Sequence, residues 1–440
     1  MNISKKDIND AHKSIKELDI WFENGNIDGH KFTMILSKML KDNEFAKFEM
    51  TCSKVKQSPF GHKVERRITC HLSIYDNLKT ILNVDDNLNT KIILQEYCSD
   101  KKRIESLHDI FDKESGLYYI HNPGLQYDYF DEDFISYDKK IKQILIERGF
   151  KRTLYQNSQA RFRIIIGARF HNFNHNFYAV SDENGFYDSS NSARLARLNN
   201  CNYFSSNIEK SIEKAIILPI DYICDNFYHN LCETMAGLRY INQLPDDIPI
   251  IYTEDRFHIL DFIASRLCIE RSRFISIKNL SNTVIKKALH LYAGSYTWDA
   301  AMYSFFSKVS YPQTIDLKIY ISRRKSSRGP SNELEIEKKL ESQGFRVIYP
   351  EDISFAEQVE IFSNANIVIS PHGAGLSHIA FTPPKCSLIE IFRSGSIQPD
   401  YYLRSRHRRI HYHPLIQHGE KLDINSIKEV LAYISKNNKI

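Results

Sequence analysis

The 440-residue chain has no run of 18 apolar residues, so no membrane-spanning helix is expected. Its first residues, MNISKKDINDAHKSIKE, are polar and lack the apolar core of a secretory signal. The eight cysteines (52, 70, 98, 201, 224, 232, 268 and 386) form no CxxC pair, which argues against a zinc ribbon or a disulfide framework. Such scattered thiols suit the reducing cytoplasm. No internal repeat and no low-complexity tract is present. Basic residues are dispersed, apart from Arg323-Arg324-Lys325 and the tract 404–409. The net charge of +5 suits an anionic small ligand or acceptor and does not mark a nucleic-acid binder.

What is present is a soluble globular composition, 42% hydrophobic and 12% aromatic, long enough for two or three domains. Residues 1–50 carry helical spacing through Ile8, Ile15, Leu18, Trp21, Phe22, Phe32, Ile35 and Leu36. Residues 51–150 are mixed. From Ala160 short β segments are expected at 162–166 and 176–180, with a turn near 182–185. Strand and helix then alternate: strands at 215–220, 248–253 and 274–277, helices at 226–242 and 257–267, and a further pair running to Val309. A second alternating block starts at Leu317. It has strands at 317–322, 345–349, 367–369 and 386–391, helices at 332–342 and 355–364, and a final helix from Ile424. The capping box Ser354-Phe-Ala-Glu357 marks one helix start. Alternation of this kind predicts an α/β fold with parallel sheets covered on both faces. The two blocks meet near 310–314, which suggests two Rossmann-like domains with a cleft between them.

The most informative segment is 366–381, NIVISPHGAGLSHIAF. Ile367, Val368 and Ile369 make the apolar run of a buried parallel strand. His372, Gly373, Ala374 and Gly375 follow at its carboxyl end, and a helical segment starts near Leu376. Glycines there let the backbone approach a ligand closely, and the next helix's amides and dipole favour an anion. The segment is thus a candidate diphosphate cradle at the usual ligand edge of an α/β sheet. His378 stands where a dinucleotide fingerprint has its third glycine, and no Walker lysine follows. A tight turn without a ligand is the alternative.

Arg323 and Arg324 lie just past the first strand of the second block, and Arg328 lies in the loop beyond. They should share a rim with the glycine turn, where an arginine fork matches phosphate oxygens. Glu390, near the end of the next strand, could accept ribose hydroxyls or be an ordinary strand-end charge. Asn332, with Glu335 three residues on, reads as a helix N-cap. In the first block, His229 and Glu233 are spaced i, i+4. Helical phase places them opposite the stripe Phe227, Leu231, Met235 and Leu238, beside Ala236, Gly237 and Tyr240. Small residues there would leave room for a substrate, and a carboxylate-oriented imidazole is a general-base unit. The alternative is a solvated helix face with a local pair. Two segments have metal-site patterns without the partners a site needs. Asp131-Glu-Asp133 lies in an acidic loop outside both blocks, and His411, His413 and His418 lack an acidic or cysteine partner nearby.

Taken in order, these segments resemble glycosyltransferase family 61, a GT-B-fold group that includes plant β-1,2-xylosyltransferases and O-linked N-acetylglucosaminyltransferases. The residues that carry the resemblance are Asn226-Phe-Tyr-His229 with Glu233, Ile321-Ser-Arg-Arg324, Asn332-Glu333-x-Glu335, Phe355-Ala-Glu-Gln358, Ile369-Ser370-Pro-His372-Gly-Ala-Gly-Leu376, Phe381 and Glu390. The resemblance covers roughly 160–392, over half the chain. Ser377-His378 departs from the Thr-Asn that commonly follows this motif, and Asn230 from a tryptophan.

The resemblance implies an inverting transfer from a nucleotide sugar, a UDP-sugar first, to a saccharide or glycolipid acceptor, with no cofactor and no essential metal. Residues 1–155 would be an N-terminal extension, 156–312 the acceptor domain and 313–440 the nucleotide-sugar domain. His229 and Glu233 would be catalytic. Arg323, Arg324, Arg328, Ser370, His372, Gly373, Ala374, Gly375, Leu376 and Glu390 would bind the donor. A cytoplasmic bacterial enzyme of capsule or lipopolysaccharide assembly, free or at the inner face of the membrane, is expected. A GT-B-type epimerase and a non-catalytic nucleotide-binding module are the competing readings.

Overall fold

The computed structural model describes residues 39, 52, 101–123, 143, 157–173, 177–182, 185–187, 208–219, 226–253, 255–280, 282–292, 300–326, 329–393, 397–398 and 400–437. Apart from Met39, the helices read in 1–50 lie outside these residues, as do Asp131-Glu-Asp133 and Arg328. Two sheets organise the rest.

The first sheet contains β1 (Lys101–Arg103), β2 (Gly116–Pro123), β3 (Asn157–Phe173), β4 (Phe177–Asp182), β5 (Gly185–Tyr187), β6 (Lys210–Ile217), β7 (Ile250–Tyr252), β8 (Phe274–Ser276) and β9 (Thr283–Tyr292). Its main order is β1-β2-β3-β9-β6-β7-β8, with β4 and β5 off β3. The alternating block supplies the parallel part, β9-β6-β7-β8. β2, β4 and β9 instead run antiparallel to β3. The sheet is therefore mixed, where the alternation predicted parallel pairing throughout. The reason is β3: at 17 residues it is long enough to pair with β2 at one end and β4 at the other. Between the two ends Gly167 takes φ +70°, a left-handed backbone that glycine adopts freely. Ile165 and Ala168 on either side of it pack into the same core, while the register with β9 runs unchanged past it. β1 and β2 lie within 1–155, so this sheet begins inside the N-terminal region.

The second sheet, β11-β10-β12-β13-β14, is parallel throughout. It comprises β10 (Leu317–Ile321), β11 (Arg346–Ile348), β12 (Ala365–Pro371), β13 (Ser387–Arg393) and β14 (His411–Gln417). Both its faces are covered, as the apolar runs predict. Within β12, Val368 packs towards the first sheet and Ile367 and Ile369 pack away from it.

Six α-helices longer than one turn follow in chain order among the described residues: α1 (Ile259–Arg266), α2 (Ala300–Val309), α3 (Glu333–Glu341), α4 (Phe355–Ser363), α5 (Asp400–Arg408) and α6 (Ile424–Asn437). Ser354 caps α4 by accepting from the Glu357 amide at 3.2 Å, as its capping box requires. Asn332 makes no such cap. Its side chain instead bonds the amide and carbonyl of Leu422 at 2.9 Å each, tying the start of α3 to the approach to α6.

A single hydrophobic core runs from Phe162, Ile216 and Leu289 of the first sheet to Ile319, Val368 and Leu388 of the second. Between the sheets lies a layer of rings. Phe262 meets Phe355 at 5.4 Å between centroids, and Phe306 meets Phe381 at the same separation. The connecting residues are fastened to the second sheet: the Tyr311 amide donates to Ser363, and Thr314 and Ile315 donate to Asn364.

Candidate functional site

The 226–243 segment is helical throughout but not one α-helix. Phe227–His229 is an α turn capped by Asn226, Asn230–Thr234 is a π turn, and Met235–Gln243 is a 3-10 helix. A residue advances less than 100° in a π turn and more in a 3-10 turn, so a uniform helical wheel fails beyond Asn230. The pairing expected one turn along survives: His229 Nδ1 sits 2.8 Å from Glu233 Oε2. The space expected beside it does not. Ala236, Gly237 and Tyr240 are buried. A Cβ on Gly237 would lie 3.0 Å from Pro219 Cδ, so that position is filled by protein. His229 keeps 24% of its side chain exposed while Glu233 keeps 6%, a buried carboxylate orienting a reachable imidazole.

A second pair stands on the other sheet. His372 Nδ1 lies 2.6 Å from Glu390 Oε1, and the Tyr412 hydroxyl donates to Glu390 Oε2. These partners lie on neighbouring strands, since Ser370 of β12 pairs with Glu390 of β13, which pairs with Pro414 of β14. Glu390 is fully buried, and both its oxygens are engaged. This corrects the ribose-hydroxyl reading, because a ligand cannot reach the carboxylate. Glu390 orients His372, whose side chain remains 21% exposed. Burial pushes the Glu390 carboxyl above its usual range, and the hydrogen bond and charge of His372 pull it back.

The glycine turn follows at once. Ala374–Phe381 is a 3-10 helix where the expected element was an ordinary helix from Leu376. The Arg323 guanidinium lies against this turn: a Cβ added to Gly373 would be 1.5 Å from its Nη2. Glycine is needed there for close approach, not for backbone strain. Gly375 has more room, since a Cβ there would meet Ile321 Cγ2 at 3.4 Å. Two buried carboxylates of α3 fix the strand end that bears the arginines. Glu333 Oε1 accepts from the Arg323 amide at 2.7 Å and from the Tyr320 hydroxyl at 2.8 Å. Glu337 accepts from Ser322 and Tyr349. Arg324 turns the other way, donating to the Tyr349 hydroxyl at 2.7 Å and pairing with Glu337 at 3.4 Å. Of the two arginines, Arg323 is therefore the one at the turn. Ser370 is buried, and its hydroxyl donates to the Pro371 carbonyl at 2.9 Å. Leu376 is buried, and Ala374 stays partly exposed.

Sequence reasoning missed α5, which brings the two pairs together. Tyr401 places its ring 5.5 Å from His372 and 6.2 Å from Tyr228, which is itself 5.0 Å from His229. Arg404 lies 4.6 Å over the Tyr228 ring, almost wholly buried, and burial pushes its guanidinium down to about 9. Asp400, on the first turn, interacts electrostatically with His372, Glu233 and His229, and burial raises its carboxyl. The basic tract 404–409 gave the signal, but dense charge reads as surface. Here Arg404 and Arg408 are buried, Arg408 by bonds to the Thr382 carbonyl and Ser307.

His378 joins the elements from below. Its ring is stacked between Phe227, at 4.4 Å, and Phe362, at 4.7 Å. Nδ1 donates to the Gly375 carbonyl at 2.7 Å, and burial lowers the imidazole to about 4. His413 is likewise buried, and no group of three or more His, Cys, Asp or Glu among the described residues could hold a metal ion.

Residues 227–389 match the model of the glycosyltransferase 61 family. The match runs from Phe227, beside the first histidine–carboxylate pair, to Ile389, beside Glu390 of the second. Similarity to individual proteins is local. The chain is 27% identical over 84 residues to a β-1,2-xylosyltransferase of Arabidopsis thaliana, covering 19% of this chain and 16% of that protein. It is 29% identical over 84 residues to the β-1,2-xylosyltransferase RCN11 of Oryza sativa subsp. japonica, with the same coverage. The matched stretch thus spans about a sixth of either relative's length. The glycosyltransferase 61 match ends before α5.

Proposed function

We propose that this protein is an inverting glycosyltransferase that moves a sugar from a nucleotide sugar to a saccharide acceptor in surface-glycan assembly, capsule and lipopolysaccharide included. One observation carries the reading: two partly exposed histidines, each held at Nδ1 by a buried carboxylate, converge beside an arginine-covered glycine turn within a glycosyltransferase 61 match. The two sheets then correspond to the acceptor and donor halves of a GT-B enzyme.

Each group has a chemical task in this scheme. With Nδ1 fixed by Glu233, His229 offers Nε2 to the acceptor hydroxyl. It takes that proton as the hydroxyl oxygen attacks the sugar carbon from the face opposite the nucleotide. Bond formation on one face and departure of the nucleoside diphosphate on the other inverts the configuration. Arg323 and the amides of the glycine turn receive the negative charge that builds on the diphosphate. His372, steadied at Nδ1 by Glu390, presents Nε2 on the same side, an N–H donor in the imidazolium form. The cation in this scheme is an arginine, so transfer should proceed without divalent metal. The relatives are named as xylosyltransferases, which makes xylose the first donor sugar to try; a UDP-sugar is the preferred donor class. No described helix is long and apolar enough to cross a membrane.

The test is a thermal-shift screen with UDP-, GDP-, dTDP- and CMP-sugars, followed by product analysis with saccharide acceptors. A ligand at 100 times its Kd should add about 2.7 kcal/mol of stability. Stabilisation by one nucleotide series, with a glycosylated product of inverted anomeric configuration, is the expected result. Absence of both would remove the reading.

A further inference from the structure

Asp400, the first residue of α5, lies beyond the end of the glycosyltransferase 61 match. The two histidine pairs come from different sheets, and α5 is the element that touches both. Tyr401 contacts His372 and Tyr228, and its hydroxyl is 3.5 Å from Ser377 of the glycine turn. One turn further, Arg404 covers Tyr228 and donates to the Asp400 carbonyl at 2.7 Å. These contacts lock the start of α5 between His229 and His372. The Asp400 side chain is 25% exposed, with its Oδ1 3.7 Å from Arg404 Nη1. An electrostatic interaction of Asp400 with both imidazoles and with Glu233 fits this position.

In an inverting transfer the acceptor base and the leaving diphosphate stand on opposite faces of the donor sugar. His229 is the proposed base, and His372 flanks the diphosphate turn. A group between them therefore meets the sugar itself. We propose that Asp400 is the donor-sugar residue: its carboxylate accepts hydrogen bonds from hydroxyls of the transferred sugar and faces the positive charge that develops at the sugar carbon. Asp400 thereby selects the sugar, while Arg323 and the glycine turn hold the nucleotide. This inference rests on the nucleotide-sugar reading of the site. A carboxylate suits the task, because it is acceptor-only and two of its lone pairs can bridge neighbouring hydroxyls. An acidic residue in a first helical turn also stabilises the helix, so the test must separate the two roles.

The experiment compares the full-length wild type with Asp400→Asn and Asp400→Glu. Calorimetry measures binding of UDP alone and of UDP-xylose, UDP-glucose and UDP-N-acetylglucosamine, then of the GDP and dTDP series. Asparagine can still start the helix, and melting curves check that both variants fold. The expected result is that Asp400→Asn binds the free nucleoside diphosphate as the wild type does, within about twofold. Its affinity for the cognate sugar nucleotide should fall about tenfold or more, the contribution of a hydrogen bond to a charged group. Its kcat should fall as well, and Asp400→Glu should shift the preference among sugars. An equal loss for nucleotide and sugar nucleotide, or no loss for either, would overturn the assignment while leaving the nucleotide-sugar reading intact. A wild type that binds neither class would overturn that reading, and this inference with it.

Discussion

His229 and Arg323 bear the chemistry of the proposal, and their substitutions should fail differently. His229→Ala should lower kcat by about 10²–10⁴-fold, the usual range for a lost general base, with donor affinity kept. Glu233→Gln should cost less, because the amide can still orient the ring. A His229→Ala variant with near-normal kcat would make the residue structural. Arg323→Ala should weaken donor binding by about 2–5 kcal/mol, as removing one partner of a desolvated charge pair does. Arg324→Ala should cost less, since Arg324 is engaged by Tyr349 and Glu337. The glycine turn offers a sharper comparison. In Gly373→Ala the new Cβ would lie 1.5 Å from Arg323 Nη2, so the arginine must move and donor binding should fall with it. Gly375→Ala, with 3.4 Å available, should be milder. Titrations of the four variants with the same sugar nucleotide rank these effects directly. Equal effects at Gly373 and Gly375 would contradict the placement of Arg323.

At the scale of elements, His378 links the 227–229 turn, α4 and the glycine turn through one buried ring. Its pKa lies at about 4 in the folded protein against an ordinary 6.5, so the unfolded chain takes the proton first. The stability it contributes is complete above about pH 6.5 and is lost as pH falls towards 4. A shift of this size is worth up to ~3 kcal/mol. His413, also lowered to about 4, and His290, lowered to about 3, act in the same direction. His378→Asn should therefore flatten the fall of Tm between pH 7 and 4.5; an unchanged slope would show that the imidazole is not buried neutral.

The same elements show what the sequence made legible. Period and apolar runs placed four strands of the second sheet, β10 to β13, to within a few residues, because strands buried on both faces carry their signal in every residue. The i, i+4 spacing of His229 and Glu233 also predicted their contact. Helical phase misjudged the floor beside them, since a π turn followed by a 3-10 turn cannot be read from a 100° wheel. The ribose role for Glu390 was misread because strand position says nothing of the Tyr412 and His372 partners that enclose it. Helix α5 was hidden by the opposite problem: its arginines look like surface and are buried by tertiary contacts.

At the scale of the molecule, one hydrophobic core runs through both sheets and supports the elements that bear the two histidine pairs. The proposal assigns charge neutralisation to Arg323, so EDTA should leave turnover unchanged. Activity abolished by EDTA and restored by manganese would contradict that assignment. The central claim is sugar transfer itself, and acceptor-dependent release of nucleoside diphosphate measures it most directly. The wild type is incubated with the stabilising sugar nucleotide, with and without a panel of saccharide acceptors. The account predicts release that rises with acceptor, matches glycosylated product one to one, and drops at least a hundredfold in His229→Ala. Isomerised donor without acceptor, or tight binding with no turnover across the panel, would contradict it.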